Sequence, residues 1–237
     1  MNSIRITVPT ATGVTGKKKR VSTGARREKG EQTRRKILNA TLKVICRDGI
    51  RAVTHRSVAA EAGVHLSLTT YYFTDIEQMM KEAFQQFCEA SQPDLENALE
   101  AAYEYLDSFT RGELRKRETR EKICHDMAIM TGRHVYNQIV HNPERLALEQ
   151  ILFNEARLSP EIHKLGVQQR EKQIEPLITL CRIFNRKDPE INAELLFGSI
   201  TSMEYHAVTL HRDEVDEAKI VALLRRLLGW LGGLKSA

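Results

Sequence analysis

Hydroxyl and basic side chains are concentrated in a short stretch between Thr54 and Tyr72. Two consecutive threonines and two consecutive tyrosines follow Ser67, and Arg56 lies near the start of the stretch. Hydroxyl and guanidinium groups are the donors that proteins use to bind phosphate oxygens and the edges of nucleic-acid bases. The stretch is therefore a candidate contact surface for a nucleic acid.

Two short helices around a tight turn are predicted to hold these donors. The first helix is indicated by four small apolar residues at helical spacing, Val53, Val58, Ala59 and Ala62. Thr54 can cap this helix by accepting bonds from unpaired backbone N–H groups. Gly63 tolerates the left-handed backbone that ends a helix, and Val64 can fill the angle between the two helices. With a second helix from about His65 to Tyr71, the pattern predicts a helix-turn-helix.

The segment V-T-H-R-S-V-A-A-E-A-G-V, followed by L-T-T-Y-Y-F, resembles the DNA-binding domain of the TetR family of transcriptional regulators. The resemblance runs from about Gln32 to Met80 and includes the preceding amphipathic helix, which ends in R-D-G-I-R-A-V-T. It implies an all-α homodimer. Each chain would have an N-terminal three-helix DNA-binding domain with a helix-turn-helix, and a C-terminal helical domain that binds a ligand and dimerises.

Some positions differ from the family pattern. Ile76 stands where the family often has a phosphate-binding Lys, and His65 and Ser67 stand where Pro or Ser and Gly are common. We expect these differences to affect the operator sequence more than the DNA-binding class. In such a dimer, two recognition helices would enter successive major grooves of a roughly palindromic double-stranded DNA operator.

The predicted DNA contacts form two groups. The recognition helix is expected to reach base edges through His65, Ser67, Leu68 and Thr69, with Leu68 meeting a thymine methyl group. The predicted phosphate anchors are Thr54, Arg56, Thr70, Tyr71 and Tyr72, and His55 completes the DNA-binding set.

Charge divides the chain in the same way. Residues 1–73 hold 15 Lys and Arg against 4 Asp and Glu, a net charge of +11, whereas the rest holds 21 against 27, a net charge of −6. This asymmetry favours a DNA-facing domain attached to a separate body. We predict a flexible basic tail at 1–29, a DNA-binding domain at 30–76 and a ligand-binding and dimerisation domain at 77–237. The tail either adds DNA contacts or is only solvated.

The helices expected along the chain begin with one from about Glu31 to Cys46, followed after the helix-turn-helix by a connector from Asp75 to Ala90. In the family, such a connector transmits ligand-induced movement to the DNA-binding heads. Pro93 is predicted to begin another helix, which ends near Phe109. Further helices are expected at about 124–140, 143–158 and 162–184.

The last two predicted helices carry leucine-rich faces that suit pairing across a twofold axis, although packing within one chain could absorb either face. The apolar positions are Ile191, Leu195, Leu196, Ile200 and Met203 on one helix, and Leu223, Leu224, Leu227, Leu228 and Leu231 on the other.

Adaptable apolar side chains in the C-terminal domain could line a ligand cavity, since methionine and aromatic residues make such walls. The candidates are Tyr103, Met127, Met130, Phe153, Met203 and Tyr205. Ordinary core packing is the alternative role for each of them.

Other chemistry is not indicated. The histidines include no metal-ligand pair at helical spacing, no convergent catalytic group is evident, and no cofactor is expected. The four cysteines, far apart in the sequence, are interpreted as reduced, buried thiols. No apolar run is long enough to span a membrane and no signal peptide is evident, so a cytoplasmic protein is expected.

The sequence therefore favours a ligand-responsive transcriptional regulator, most simply a repressor that an unknown small molecule releases from its operator. A dimeric DNA-binding protein without an effector, acting through a protein partner, is the first alternative. An enzyme with a DNA-binding head is the second.

Overall fold

The computed structural model describes residues 23–155, 160–185 and 187–234, and within them the chain forms nine α-helices and no strand. The helices are α1 (Thr23–Asp48), α2 (His55–Ala62), α3 (Leu66–Tyr72), α4 (Ile76–Asp107), α5 (Arg117–His141), α6 (Pro143–Glu155), α7 (Pro160–Phe184), α8 (Pro189–Ala207) and α9 (Glu217–Leu231). Short 3-10 turns lie at Ile50–Ala52, Glu113–Arg115 and Arg212–Glu214. The predicted all-α fold is confirmed.

Helices α2 and α3 form the predicted helix-turn-helix. The Thr54 hydroxyl caps α2 by accepting from the backbone N–H of Ser57 at 3.0 Å, and the Ser57 hydroxyl accepts from the N–H of Thr54 at 2.9 Å. Gly63 ends α2 with a left-handed backbone at φ 58°, and the N–H of Val64 closes the turn by donating to the carbonyl of Ala59 at 3.0 Å. The predicted cap and the predicted helix-ending glycine are both present.

The first helix begins earlier than the sequence indicated. We predicted its start near Glu31 and a flexible tail at 1–29, but α1 already begins at Thr23, so residues 23–29 are helical. The earlier part of the predicted tail, residues 1–22, lies outside the described residues.

Helix α4 also corrects a prediction, because Pro93 lies inside it and does not begin a new helix. A proline removes one backbone donor, which leaves the carbonyl four residues earlier without its helical partner. That carbonyl belongs to Glu89, and both Glu89 and Pro93 are exposed, so water can take the place of the lost donor. Packing of α4 against both halves of the molecule then holds it as one helix.

Two hydrophobic cores lie along α4. The first joins α1 and α2 to the first half of α4, whose Met79, Ala83 and Phe84 are fully buried. Leu148 and Leu152 of α6 belong to the same core. The second core joins the far half of α4 to α5, α7, α8 and α9. The predicted division at 76/77 coincides with the start of α4, but the first core continues beyond it.

The leucine-rich faces of α8 and α9 are each divided between the core and solvent. Leu196 and Leu224 are buried, whereas Ile191, Leu195 and Leu223 are exposed by 60%, 52% and 50%. No helix in the described part of the chain is both long enough and apolar enough to cross a lipid bilayer.

Candidate nucleic-acid interface and internal cavity

Helix α3 presents a polar, exposed face next to the turn. His65, Ser67, Thr70 and Tyr71 are exposed, and Tyr71 keeps 78% of its surface accessible. The His65 ring caps α3, with Nδ1 2.8 Å from the Ser67 hydroxyl and within 3.3 Å of the Ser67 backbone N–H. Hydroxyl and imidazole groups are therefore exposed together on a short helix whose N-terminus is capped.

Thr69 corrects the predicted set of base contacts, because its side chain is fully buried. Its hydroxyl donates to the carbonyl of Leu66 at 2.8 Å, back along its own helix. A buried hydroxyl bonded in this way cannot reach a base edge. Leu68 and Tyr72 are half-buried, and the Tyr72 hydroxyl lies against Gly30 of α1.

The DNA-contact residues predicted in α2 and its cap differ in how exposed they are. Arg56 is exposed and Thr54 is exposed at the end of α2, although the Thr54 hydroxyl is also occupied by the helix cap. His55 is half-buried, and its Nδ1 has no hydrogen-bond partner among the described residues.

Helix α1 carries three consecutive basic residues, Arg34, Arg35 and Lys36, and one of them is paired with α4. Arg35 and Lys36 are exposed, and the Lys36 ammonium lies next to Gly63. Arg34 instead forms an ion pair with Glu82 of α4 and lies over the Phe73 ring, 5.3 Å from its centroid. Arg34 therefore joins two helices within the head, which is formed by α1 to α3 and the first half of α4, whereas Arg35 remains exposed.

A cavity of about 580 Å³ lies in the body of the molecule, between α4, α5, α6, α7, α8 and the end of α9. Its walls are mainly apolar. Four of the six predicted ligand residues line it, namely Met127, Met130, Phe153 and Tyr205. A volume of this size is typical of pockets for small organic molecules.

Tyr103 and Met203 do not line this cavity, contrary to the sequence-based expectation. The Tyr103 hydroxyl donates to the carbonyl of Pro176 at 2.9 Å, which ties α4 to α7. Met203 is partly buried against the second core. Both residues therefore have packing roles.

Charged and polar groups interrupt the apolar wall, and the sequence analysis did not identify them. Arg145 donates through Nη2 to the Gln138 side-chain oxygen at 2.8 Å, and its Nη1 lies 3.6 Å from Glu149. Glu204 lines the cavity between Met203 and Tyr205 on α8. The signal that could have identified it is a single carboxylate among residues 195–205, which are otherwise apolar, small or aromatic.

Burial changes the protonation of these groups. It raises the pKa of Glu204 to about 7, with a further contribution from the charge of Glu149. Burial also raises the pKa of the Glu149 carboxyl, while it lowers the pKa of His134 and so favours the neutral imidazole. The pKa of the Tyr205 hydroxyl is raised for the same reason.

Two helices connect the cavity to the head. Phe84 of α4 is fully buried in the first core, and its ring meets that of Phe153 edge-on at a centroid distance of 5.6 Å. Phe153 itself lines the cavity, and Leu148 and Leu152 on the same helix, α6, pack in the head core. A ligand in the cavity would therefore touch residues that pack directly on the head.

All four cysteines are free thiols, but only Cys124 and Cys181 are buried as predicted, whereas Cys46 and Cys88 are half-buried. Burial raises the pKa of Cys88 to about 12 and of Cys181 to about 11, and it also raises the pKa of Cys46 and Cys124. Across the described ranges, no group of three or more His, Cys, Asp or Glu side chains is arranged to hold a metal ion.

Solved structures of other proteins share this fold over most of the chain. SCO7518, described as a transcriptional regulator from Streptomyces coelicolor A3(2), is 26% identical; the match covers 83% of this chain and 98% of that chain, with a TM-score of 0.57. A protein described as a TetR-family transcriptional regulator from Mesorhizobium loti is 13% identical over 88% of this chain and 98% of that chain, with a TM-score of 0.62. The multidrug binding protein EbrR, in complex with imidazole, is 23% identical over 82% and 93% of the two chains, with a TM-score of 0.56. No model of a protein family matches the sequence, and no curated protein matches it.

Proposed function

We propose, from the TetR-family fold that this chain has, that the protein is a DNA-binding transcriptional regulator whose affinity for its operator changes when a small molecule enters the cavity. The resemblance found in the sequence is confirmed at the level of the fold. The observation that carries the proposal is the shared helix α4, which packs in the core of the head with one half and lines the cavity with the other. A stiff helix that touches both sites is a physical basis for coupling between them.

The DNA-binding half of the proposal rests on the surface of α3 and its surroundings. His65, Ser67, Leu68 and Thr70 are the proposed base-edge and backbone contacts from α3, and Tyr71 next to them is 78% exposed. The proposed phosphate anchors also include Thr54, Arg56 and Tyr72, with His55 next to them. The exposed basic residues Arg35 and Lys36 add to the positive field of this surface.

The effector half rests on the cavity. EbrR, which shares the fold, has been solved with malachite green and with proflavin as well as with imidazole. The cavity of this chain has a volume suited to organic molecules, and its Phe153 contacts the head through Phe84. A ligand can shift the head only if it binds one conformation more tightly than the other. Release of the operator, and hence repression in the absence of ligand, is the simplest outcome.

We also propose that two chains pair through α8 and α9. Ile191, Leu195, Leu223 and Trp230 are each at least half exposed on these helices, and large apolar side chains grouped on a surface favour association. Leu195→Glu combined with Leu223→Glu should give a monomer in analytical ultracentrifugation. The control is Val167→Glu on α7, which places the same charge on an exposed apolar position elsewhere and should leave the dimer intact. A dimer that survives the double change would place the interface elsewhere.

The first experiment for the function is selection of random duplex DNA by the purified full chain, with sequencing of the bound pool at moderate salt. Enrichment of an inverted repeat is expected, because a twofold dimer places two copies of α3 on one face of DNA. Binding without any enriched sequence would contradict a sequence-specific regulator and would leave only electrostatic attraction to the basic head.

A further inference from the structure

The cavity holds an uneven set of ionisable groups. Among the described residues, two carboxylates, Glu149 and Glu204, lie in its interior, against one guanidinium, that of Arg145. His134 also lines the wall, and its lowered pKa keeps it neutral near pH 7. Arg170 and Asp94 are exposed residues at the edge, and Arg170 is already paired with Glu194, Nη1 to Oε1 at 3.0 Å. The interior therefore has more carboxylates, which attract a cation, than cationic groups, which attract an anion.

Glu204 is the carboxylate without a partner. Arg145 is engaged with Gln138 at 2.8 Å and with Glu149 at 3.6 Å, and no hydrogen bond or ion pair joins Glu204 to any other described residue. The side chain is largely shielded from water, and it lines the cavity. An acceptor group buried in this way is costly for the folded protein unless a ligand satisfies it.

The walls around Glu204 suit an apolar body. Leu177, Leu180, Leu196 and Ile200 provide aliphatic surface, and the rings of Phe153, Phe197 and Tyr205 also line the cavity. Aromatic faces attract organic cations, and this attraction is stronger where water is excluded. The same wall thus combines apolar surface, aromatic rings and a carboxylate.

We propose that the cavity binds an organic cation with an apolar body, such as a protonated amine or a quaternary ammonium compound, and that Glu204 is the residue that receives its positive charge. This inference rests on the proposed function, because it names the chemical class of the effector for the same cavity. It assigns to Glu204 a binding role, and to Arg145 the role of holding Glu149 in place.

The protonation of Glu204 gives the proposal a measurable signature. With a pKa near 7 in the free protein, about half of the Glu204 side chains carry a proton at that pH, and a bound cation favours the ionised form. Binding of a permanent cation should therefore release protons, and its affinity should rise as the pH increases from 6 to 8. Among the described residues, the other charged or titratable groups that line the cavity are Glu149, Arg145, His134, Asp94, Arg170, Tyr205 and Cys181.

The test measures binding to the full chain by isothermal titration calorimetry at pH 7.5. The probes are phenyltrimethylammonium, its neutral isostere tert-butylbenzene and the anion 4-phenylbutyrate, with tetraphenylphosphonium as a larger cation. We expect at least one of the two cations to bind. If phenyltrimethylammonium binds, it should bind more tightly than tert-butylbenzene, which has the same shape without the charge. Equal binding of isostere and cation, preferred binding of the anion through Arg145, or no binding of either cation would overturn the proposal.

Variants then locate the charge. Glu204→Gln keeps the size of the side chain and should weaken cation binding by at least about tenfold while flattening its pH dependence. Glu190→Gln removes an exposed carboxylate outside the cavity and should change neither. Unchanged cation affinity in Glu204→Gln would contradict the assignment of this residue.

Operator affinity measured with each probe distinguishes a failure of this inference from a failure of the proposed function. If a cation binds through Glu204 but leaves operator affinity unchanged, the ligand class stands and the ligand-responsive function fails. If a neutral or anionic probe releases the operator while cations do not bind, the function stands and the ligand class is wrong.

Discussion

The head and the cavity are built in opposite ways from the same chain. The proposed DNA-contacting surface comes from consecutive residues of two short helices, and most of its side chains are exposed. Residues of six helices, from Ser91 to Leu228, line the cavity, and its carboxylates Glu149 and Glu204 are largely shielded from water. Exposed groups keep their ordinary chemistry, whereas buried groups acquire theirs from neighbours that lie far away in the sequence. Local sequence can therefore predict most of the DNA-contacting residues, but it cannot predict which groups meet in the cavity.

The largest effect is expected where the two regions meet. Phe84→Ala removes a fully buried ring from the head core and its edge contact with Phe153, so the free energy of unfolding should fall by about 3–5 kcal/mol. Urea denaturation measures this loss. Val167→Ala, at an exposed position on α7, is the control and should change stability little. A small loss in Phe84→Ala would mean that the head and the body do not share this packing.

A smaller but pH-dependent effect is expected inside the cavity. Burial raises the pKa of Glu204 to about 7 from its ordinary value of 4.5, so between these pH values the folded protein keeps a proton that the unfolded chain has lost. The contribution of Glu204 to stability therefore falls as the pH rises through this range. Glu204→Gln should be more stable than the parent protein at pH 8 by about 2–4 kcal/mol, with a smaller difference at pH 5.

Denaturation curves at several pH values test this prediction. Glu190→Gln, whose carboxylate is exposed, serves as the control for loss of a charge. A stability difference between Glu204→Gln and the parent that does not vary with pH would show that Glu204 has an ordinary pKa, and the contrast with the exposed head would be weaker.

Single substitutions on the head should weaken DNA binding and change stability little. Arg56→Ala should weaken operator binding about tenfold and reduce the dependence of log affinity on log salt by about one, because one phosphate contact is lost. Tyr71→Phe should have a smaller effect, since only one hydroxyl is removed from an exposed ring. Fluorescence anisotropy over a salt series measures both. Arg212→Ala, in the turn before α9, is the control, and an equal loss there would point to net charge alone.

The smallest effect on stability is expected at the ion pair between Arg34 and Glu82. Both side chains are partly exposed, so Glu82→Gln should cost at most about 1 kcal/mol. The ion pair is expected to contribute to the coupling between the cavity and the DNA-binding surface, because it joins α1 to α4. The ligand-induced change in operator affinity should decrease while the separate affinities for ligand and for DNA in the absence of ligand change little. Full retention of the ligand response would indicate that packing through Phe84 and Phe153 carries the coupling.

Several features could be predicted from local sequence because local physics decides them. Thr54 caps α2 and Gly63 ends it in the left-handed conformation, as their residue types indicated. The failures have a common cause. Pro93 signals a helix break when considered alone, and Thr69 is a surface hydroxyl by type. In each case packing with a distant element overrides the local preference.

The sequence by itself determined the all-helical class, the helix-turn-helix and the positive charge of the head, because helical spacing, caps and charge are properties of neighbouring residues. Only the tertiary structure decided that α4 continues through Pro93, that Arg34 turns to Glu82, and that Glu149 and Glu204 share one cavity. A buried carboxylate owes its pKa to the groups that exclude water from it, and those groups come together only when α4 to α9 pack.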